Sequence, residues 1–89
     1  MMEAGPRRVR YSRDAVRTLK RIDQGTARRI RSKIGQLAAE PDALANNVRA
    51  LSGGDGQMRL RVGRWRVIYT ADTAELMVLK VAPRGSAYE

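Results

Sequence analysis

Apolar and polar positions alternate and then change period within the first third of the chain. Residues 7–11 alternate arginine with Val9 and Tyr11, which predicts a short first strand. From residue 12 to about residue 22 the apolar positions fall at helical spacing instead. Ser12 stands at the N-cap position, where a hydroxyl can accept a backbone N–H. The sequence therefore begins with a predicted strand followed by an amphipathic helix.

A second amphipathic helix is predicted after a break at residues 23–26. Thr26 is the expected N-cap, and Pro41 ends the helix at or before Glu40 because proline disfavours helical backbone in the residue before it. One face of this helix is apolar, and the other is basic, with Arg28, Arg29, Arg31 and Lys33. Two helices joined by so short a break form a hairpin, whose apolar side must pack on another layer.

The second half of the chain has the period of strands. Residues 58–62 alternate apolar and polar side chains, and residues 65–70 are expected to form the return strand. Glycine stands first in the Gly63-Arg64 dipeptide between them, as in a type II′ hairpin turn. Residues 75–81 are nearly continuously apolar, which predicts a strand in the interior of the sheet. Residues 42–57 have no regular period, and we expect them to form a loop.

The element order β-α-α-β-β-β predicts an α+β fold. We expect the helical hairpin to pack on one face of a small antiparallel sheet and to leave the other face open. The 89 residues suffice for one domain, and no repeat or linker divides them, so residues 1–89 are expected to form a single domain.

Three arginines share the open face of the predicted hairpin. A two-residue turn places Arg61 opposite Arg66, with Arg59 two positions along the same strand. Like charges opposed on a sheet destabilise it, and local conflicts of this kind tend to mark functional sites. Two interpretations remain open: solvated arginines neutralised by Asp55 or Asp72, or a preformed cradle whose guanidinium groups bind phosphates.

Composition removes most kinds of catalytic chemistry. The chain has 18 Lys and Arg against 9 Asp and Glu, a net charge of +9, and neither Cys nor His. These absences exclude disulfides, thiolate zinc sites, cysteine nucleophiles and Ser-His-Asp triads. No spacing of carboxylates resembles a metal site, and we expect neither a metal nor a cofactor.

The charge and the hydropathy also limit the partners. A basic domain favours an anionic partner, either nucleic acid or an acidic protein segment. No apolar run approaches the roughly 20 residues of a membrane span. We therefore expect a cytoplasmic protein with no membrane partner.

Several stretches resemble a known family. The run R-L-R-V-G-R-W-R-V-I-Y at 59–69, the strand L-M-V-L-K-V at 76–81 and the ending A-P-R-G-S-A-Y at 82–88 resemble the RelE/ParE superfamily of type II toxin–antitoxin toxins. The helical hairpin and the L-A-x-N-x-x-x-L stretch at 44–51 fit the same family. The likeness covers nearly the whole chain.

The resemblance implies a RelE-like mRNA interferase that cleaves mRNA in the ribosomal A site without a metal. In that reaction the ribose 2′-OH attacks the adjacent phosphate and leaves a 2′,3′-cyclic phosphate and a 5′-OH. The implied partners are the ribosome, mRNA and a cognate antitoxin with an acidic amphipathic segment. Position by position, the resemblance implies a phosphate contact for Arg61 and catalytic roles for Arg59, Arg66, Arg84 and Tyr88.

Three further cations are candidates for RNA binding. Lys80 points either into the cradle or away from it, and the register alone does not decide between the two. Arg28 and Arg31 belong to a basic helix face that is either simply solvated or in contact with ribosomal RNA.

The general base and the exact activity are left open by the sequence. Arginine stays protonated, so Tyr88 is the remaining candidate base, provided that nearby cations lower its pKa from about 10. Tyr88 could equally stack on a nucleobase. Gln57 stands where some RelE-like enzymes have a second lysine. Two other functions fit the chain: a ParE-like toxin that blocks DNA gyrase without nuclease activity, and a nucleic-acid-binding module without catalysis.

Overall fold

A computed structural model describes residues 6–51, 53 and 55–85. The elements in chain order are β1 (Arg8–Tyr11), α1 (Arg13–Arg21), α2 (Gln24–Ala39), a 3-10 helix (Pro41–Asn47), β2 (Val48–Ala50), β3 (Met58–Val62), β4 (Trp65–Ala71) and β5 (Glu75–Pro83). The α+β class and the predicted elements are confirmed, and the region expected to be a loop contributes a 3-10 helix and a strand as well.

The five strands form one mixed sheet in the order β1-β5-β4-β3-β2. Strands β2 to β5 pair antiparallel with their neighbours, whereas β1 pairs parallel with β5. The expectation of a wholly antiparallel sheet is wrong at this edge. Parallel neighbours need a long connection, and here both helices and the antiparallel strands lie between β1 and β5 in the chain.

The helices pack their apolar stripes on one face of the sheet. Ile30 and Ile34 of α2 share a fully buried cluster with Leu60 of β3 and Val67 of β4. Tyr69 is buried in the same cluster. The sheet face that holds Leu60 and Val67 is therefore the core face, and the arginines that alternate with them lie on the opposite, open face.

The two helices begin at different kinds of N-cap. The Ser12 hydroxyl accepts the backbone N–H of Ala15 at 3.0 Å, as predicted. The expectation that Thr26 caps α2 is wrong, because the Asp23 carboxylate accepts both the backbone N–H of Thr26 at 2.9 Å and its hydroxyl at 3.2 Å. These hydrogen bonds, the backbone one foremost, hold the pKa of Asp23 below its usual value. The helix thus begins at Gln24, three residues earlier than a Thr26 cap would allow.

Replacing Ser12 by alanine is expected to lower the free energy of unfolding by about 1–2 kcal/mol. The Ser12 hydroxyl caps α1 and also donates to the backbone carbonyl of Leu79 at 2.7 Å, so the variant loses two hydrogen bonds. Chemical denaturation measures the change. Ser32→Ala on the exposed side of α2 is the matched control and should not destabilise the protein; equal stability of the two variants would contradict the double role of Ser12.

Within the described residues, none of the helices has both the length and the apolar character needed to span a membrane.

Candidate functional site

Four arginines lie on the open face of three adjacent strands. The register pairs Arg61 of β3 with Arg66 of β4, which confirms the predicted hairpin, and it also pairs Arg49 of β2 with Arg59 of β3. Each pair places like charges directly across a strand boundary, which costs free energy in the absence of an anion. The structure therefore extends the predicted set of three arginines to four.

A cleft brings these arginines together with two amides. It has a volume of about 270 Å³ and is lined by Asn46, Asn47, Arg49, Arg59, Arg61 and Arg66. We call it the arginine cleft. No carboxylate is found among the described residues that line it. A site of this composition presents several hydrogen-bond donors on rigid strands to an anion, and guanidinium groups match phosphate in a bidentate manner.

Arg66 is the most buried of the four arginines, with a relative exposure of 7%. Its Nη1 donates to the carbonyls of Gly63 and Trp65, both at 3.0 Å. These contacts tie the guanidinium to the β3–β4 turn, and a group fixed in this way needs no reorganisation when charge develops beside it.

The turn that holds Arg66 requires glycine because of its backbone conformation. The φ of Gly63 is 59°, and no described non-glycine residue has a positive φ, which agrees with the predicted type II′ turn. The Arg29 side chain reaches this turn from α2, with its Nη1 3.4 Å from where a Cβ on Gly63 would lie, which is ordinary van der Waals contact. A side chain at this position would therefore strain the backbone without a steric clash.

Asp72 does not neutralise the opposed arginines. Asp72 comes directly after the end of β4, whereas Arg66 lies near the beginning of that strand. The Asp72 carboxylate accepts the backbone N–H groups of Ala74 at 2.8 Å and Glu75 at 2.7 Å. These hydrogen bonds hold the pKa of Asp72 below its usual value. The Glu75 carboxylate lies 3.5 Å from the guanidinium of Arg10, which is exposed on β1.

Arg49 escaped sequence reasoning because it belongs to a three-residue strand. Val48 and Ala50 flank it in an apolar–polar–apolar pattern, but so short a segment shows less than two periods. That short pattern was the one local signal of a strand. Residues 48–50 are defined as a strand by their pairing with β3, which the hydrogen bond from the Leu51 N–H to the Gln57 carbonyl at 3.0 Å extends.

Lys80 lies on the open face, which resolves the alternative left by the sequence. The pairing between β4 and β5 shifts at Ile68 and Tyr69, so that Tyr69 pairs with Val78 and Ile68 pairs with Lys80. Leu79 is the extra residue of this irregularity, and it packs with Ile68 in a small apolar cluster. Lys80 therefore shares a face with the arginine cleft but does not line it.

The remaining predicted site residues lie elsewhere. Arg84 is exposed after β5, and its backbone N–H donates to the carbonyl of Arg64 in the β3–β4 turn at 2.6 Å. Arg28 and Arg31 are exposed on α2, whose buried side packs on the core face, so the structure does not bring them to the arginine cleft. Tyr88 lies outside the described residues.

Burial makes both described tyrosines poor bases, and the described carboxylates do not cluster as a metal site would require. Burial raises the pKa of Tyr11 above its usual value of 10, with the Arg31 guanidinium partly offsetting the effect. Burial likewise raises the pKa of Tyr69, with a smaller opposing effect of Arg7. Both phenols are thus protonated at neutral pH. In the described part of the chain, no three acidic, histidine or cysteine residues cluster as metal ligands would.

Comparisons with known proteins identify the family and the fold of the chain. The family model described as the ParE toxin of type II toxin–antitoxin systems, parDE, matches residues 9–88. A search of curated proteins finds no match.

Among solved structures, the chain is similar to one from the archaeal RelE–RelB complex of Pyrococcus horikoshii OT3. It is 29% identical over 92% of this chain and 99% of that chain, with a TM-score of 0.75. Two other matches have lower identity and show a shared fold. The intact RelBE complex of Escherichia coli matches with 12% identity over 91% and 99% of the two chains and a TM-score of 0.70. The RelBE2 complex of Mycobacterium tuberculosis matches with 20% identity over 94% and 98% and a TM-score of 0.65.

Proposed function

The chain belongs to the ParE toxin family of type II toxin–antitoxin systems, within the RelE/ParE superfamily, and we propose that its toxic activity is metal-independent cleavage of mRNA on the ribosome. The observation that carries this proposal is the arginine cleft, in which four guanidinium donors stand on rigid strands with no carboxylate among the described lining residues. Such a site fits the phosphodiester backbone of a single RNA strand.

The reaction that fits the cleft is internal transesterification of RNA. The 2′-oxygen forms a bond to phosphorus while the bond from phosphorus to the 5′-oxygen breaks, which leaves a 2′,3′-cyclic phosphate and a 5′-OH. Negative charge grows on the non-bridging oxygens, where fixed cations stabilise it more than they stabilise the ground state. We assign contact with this charge to Arg66, which is tied to the turn, and to Arg59, whereas Arg61 is assigned a contact with the adjoining phosphate.

Proton transfer needs a residue other than the arginines of the cleft. One proton must leave the 2′-OH, and another must reach the departing 5′-oxygen. We assign removal of the 2′-OH proton to Tyr88, and the 5′-oxygen takes its proton from solvent water. Arg84 stays protonated, and we assign it a catalytic role through its positive charge, beside the β3–β4 turn where the backbone hydrogen bond to Arg64 holds it. Cations close to a phenol lower its pKa, which would suit Tyr88 to act as a general base, and stacking on a nucleobase is its alternative role.

The proposed partners follow from charge. The similar solved structures are toxin–antitoxin complexes, and a net charge of +9 favours a cognate antitoxin with an acidic amphipathic segment. Arg28 and Arg31, exposed on the helical layer, are proposed to contact ribosomal RNA from outside the cleft. Lys80 is proposed to bind RNA by adding positive charge to the open face beside the cleft. The proposed site of action is the cytoplasm.

Inhibition of DNA gyrase without nuclease activity is the second candidate function. The specific observation in its favour is that the matching family model is described by the ParE toxin, whereas the structural likenesses given above are to RelE–RelB and RelBE complexes. The two candidates predict different targets in the cell, RNA in one case and DNA topology in the other, and one experiment separates them.

Mapping of mRNA 5′ ends after brief induction is expected to show new 5′-OH ends inside translated codons. Because the proposed reaction takes place on the ribosome, these ends should disappear when translation initiation is blocked. Arg17→Ala, an exposed arginine of α1 away from the cleft, is the matched control and should give the wild-type pattern. Intact mRNA together with a DNA-damage response would contradict the nuclease assignment and support inhibition of DNA gyrase. Growth arrest with neither change would favour a protein that binds nucleic acid without catalysis.

A further inference from the structure

We propose that the side-chain amides of Asn46 and Asn47 recognise a nucleobase, adenine, beside the phosphate that the arginine cleft holds. This inference rests on the proposed function to the extent that the ligand is single-stranded RNA. It assigns sequence preference to the protein itself, through two residues that were not among the predicted site residues.

Both asparagines stand at a fixed place in the cleft. They end the 3-10 helix and line the same cleft as the four arginines, with Asn47 half-buried and Asn46 exposed. Leu44, buried with a relative exposure of 7%, anchors the segment to the core, and the backbone N–H of Val48 donates to the carbonyl of Ala45. Arg49 follows in β2, paired with β3. The amides are thus held between an anchored helical turn and a strand.

The cleft needs these amides if it is to distinguish one base from another. Arginine has five N–H donors and no acceptor, so guanidinium groups satisfy phosphate oxygens regardless of sequence. The exocyclic amino group of adenine is a donor and requires an acceptor. Among the described residues that line the cleft, only the two asparagines have side chains that supply an acceptor, and each supplies donors as well.

Adenine is the base that fits this donor–acceptor pair best. A carboxamide can accept from the adenine N6 amino group and donate to N7, which is the bidentate pairing that asparagine makes with adenine. The volume of about 270 Å³ lies just below the usual range of ligand sites, so the cleft suits a base with the single strand that carries it and not a folded structure.

A purely structural role for the asparagines makes a different prediction. If the amides only stabilised the segment before β2, their removal would weaken binding of every RNA to the same extent. A base-reading role changes the ratio of affinities between RNAs that differ at one base, and that ratio is insensitive to a loss of folded protein.

The test measures binding of the full chain to five single-stranded RNA oligonucleotides that differ at one position. This position holds adenine, 7-deazaadenine, guanine, cytosine or uracil. The wild type should bind the adenine oligonucleotide about 5- to 150-fold more tightly than the others, including the one that lacks N7. The double variant Asn46→Ala/Asn47→Ala should lose this preference and keep the affinity for the non-adenine oligonucleotides. The matched control Ser32→Ala, exposed on α2, should keep the preference.

The outcomes separate this inference from the proposed nuclease activity. A wild type without preference among the five oligonucleotides, or a double variant weakened equally on all of them, overturns base reading. Loss of the adenine preference in the double variant supports it even if mRNA mapping shows no cleavage, in which case only the nuclease assignment falls. Cleavage that persists in the double variant, with cut sites no longer biased towards adenine, supports both.

Discussion

Replacing Arg66 by alanine is expected to lower the rate of mRNA cleavage by about 10²–10³-fold, the usual effect of removing one fixed donor from developing negative charge. Arg66 is the arginine of the cleft that the turn carbonyls of Gly63 and Trp65 hold in place, so its donors do not have to be ordered during the reaction. The measurement is the frequency of new 5′-OH ends per mRNA after induction, with growth arrest as the physiological readout.

The burial of Arg66 makes a folding control necessary. Its removal leaves the carbonyls of Gly63 and Trp65 without this donor in a part of the molecule where Arg66 is only 7% exposed. Arg66→Lys keeps the positive charge but not the planar fork of donors, so it should preserve more stability while cleavage remains reduced. Arg17→Ala is again the matched control. Full toxicity of a folded Arg66→Ala variant would exclude a catalytic contact by this residue.

Local chemistry accounts for the part of the fold that the sequence predicted correctly. The cap at Ser12, the end of α2 before Pro41 and the two-residue turn at Gly63 depend on neighbouring residues alone. The register of the β3–β4 hairpin follows from the length of that turn, which is why the opposition of Arg61 and Arg66 could be predicted. Structural features that depend on a few neighbouring residues can therefore be predicted from the local sequence.

The missed features depend on contacts between distant residues. The alternation around Val9 predicts a strand but carries no information about the direction of its partner, and β1 proved to be parallel to β5. The irregularity at Leu79 places Lys80 on the open face, and it arises in the pairing with β4. Arg49 joined the site only because β2 pairs with β3. The sequence alone could therefore predict one opposed pair, Arg61 and Arg66, and Arg59 of the other pair, but not the complete cleft.

The affinity of the arginine cleft for single-stranded RNA is expected to fall about 50-fold between 50 and 200 mM monovalent salt. Each phosphate neutralised on a single strand contributes about −0.7 to the slope of log K against log salt, so four contacts give a slope of about −2.8. Four arginines line the cleft, which sets the number of contacts. Fluorescence anisotropy with a labelled RNA over this range of salt measures the slope directly.

Single substitutions divide this slope among the arginines. Arg49→Ala should reduce its magnitude by about 0.7, since one released counterion is lost with each phosphate contact. This variant is the most informative one, because the pairing of β2 with β3 showed that Arg49 belongs to the cleft and the sequence pattern did not predict it. Arg17→Ala removes the same charge from α1 and should leave the slope unchanged, because a charge that contacts no phosphate releases no counterion. If both variants reduce the slope equally, RNA binds the whole basic surface, and the cleft has no special part in holding it.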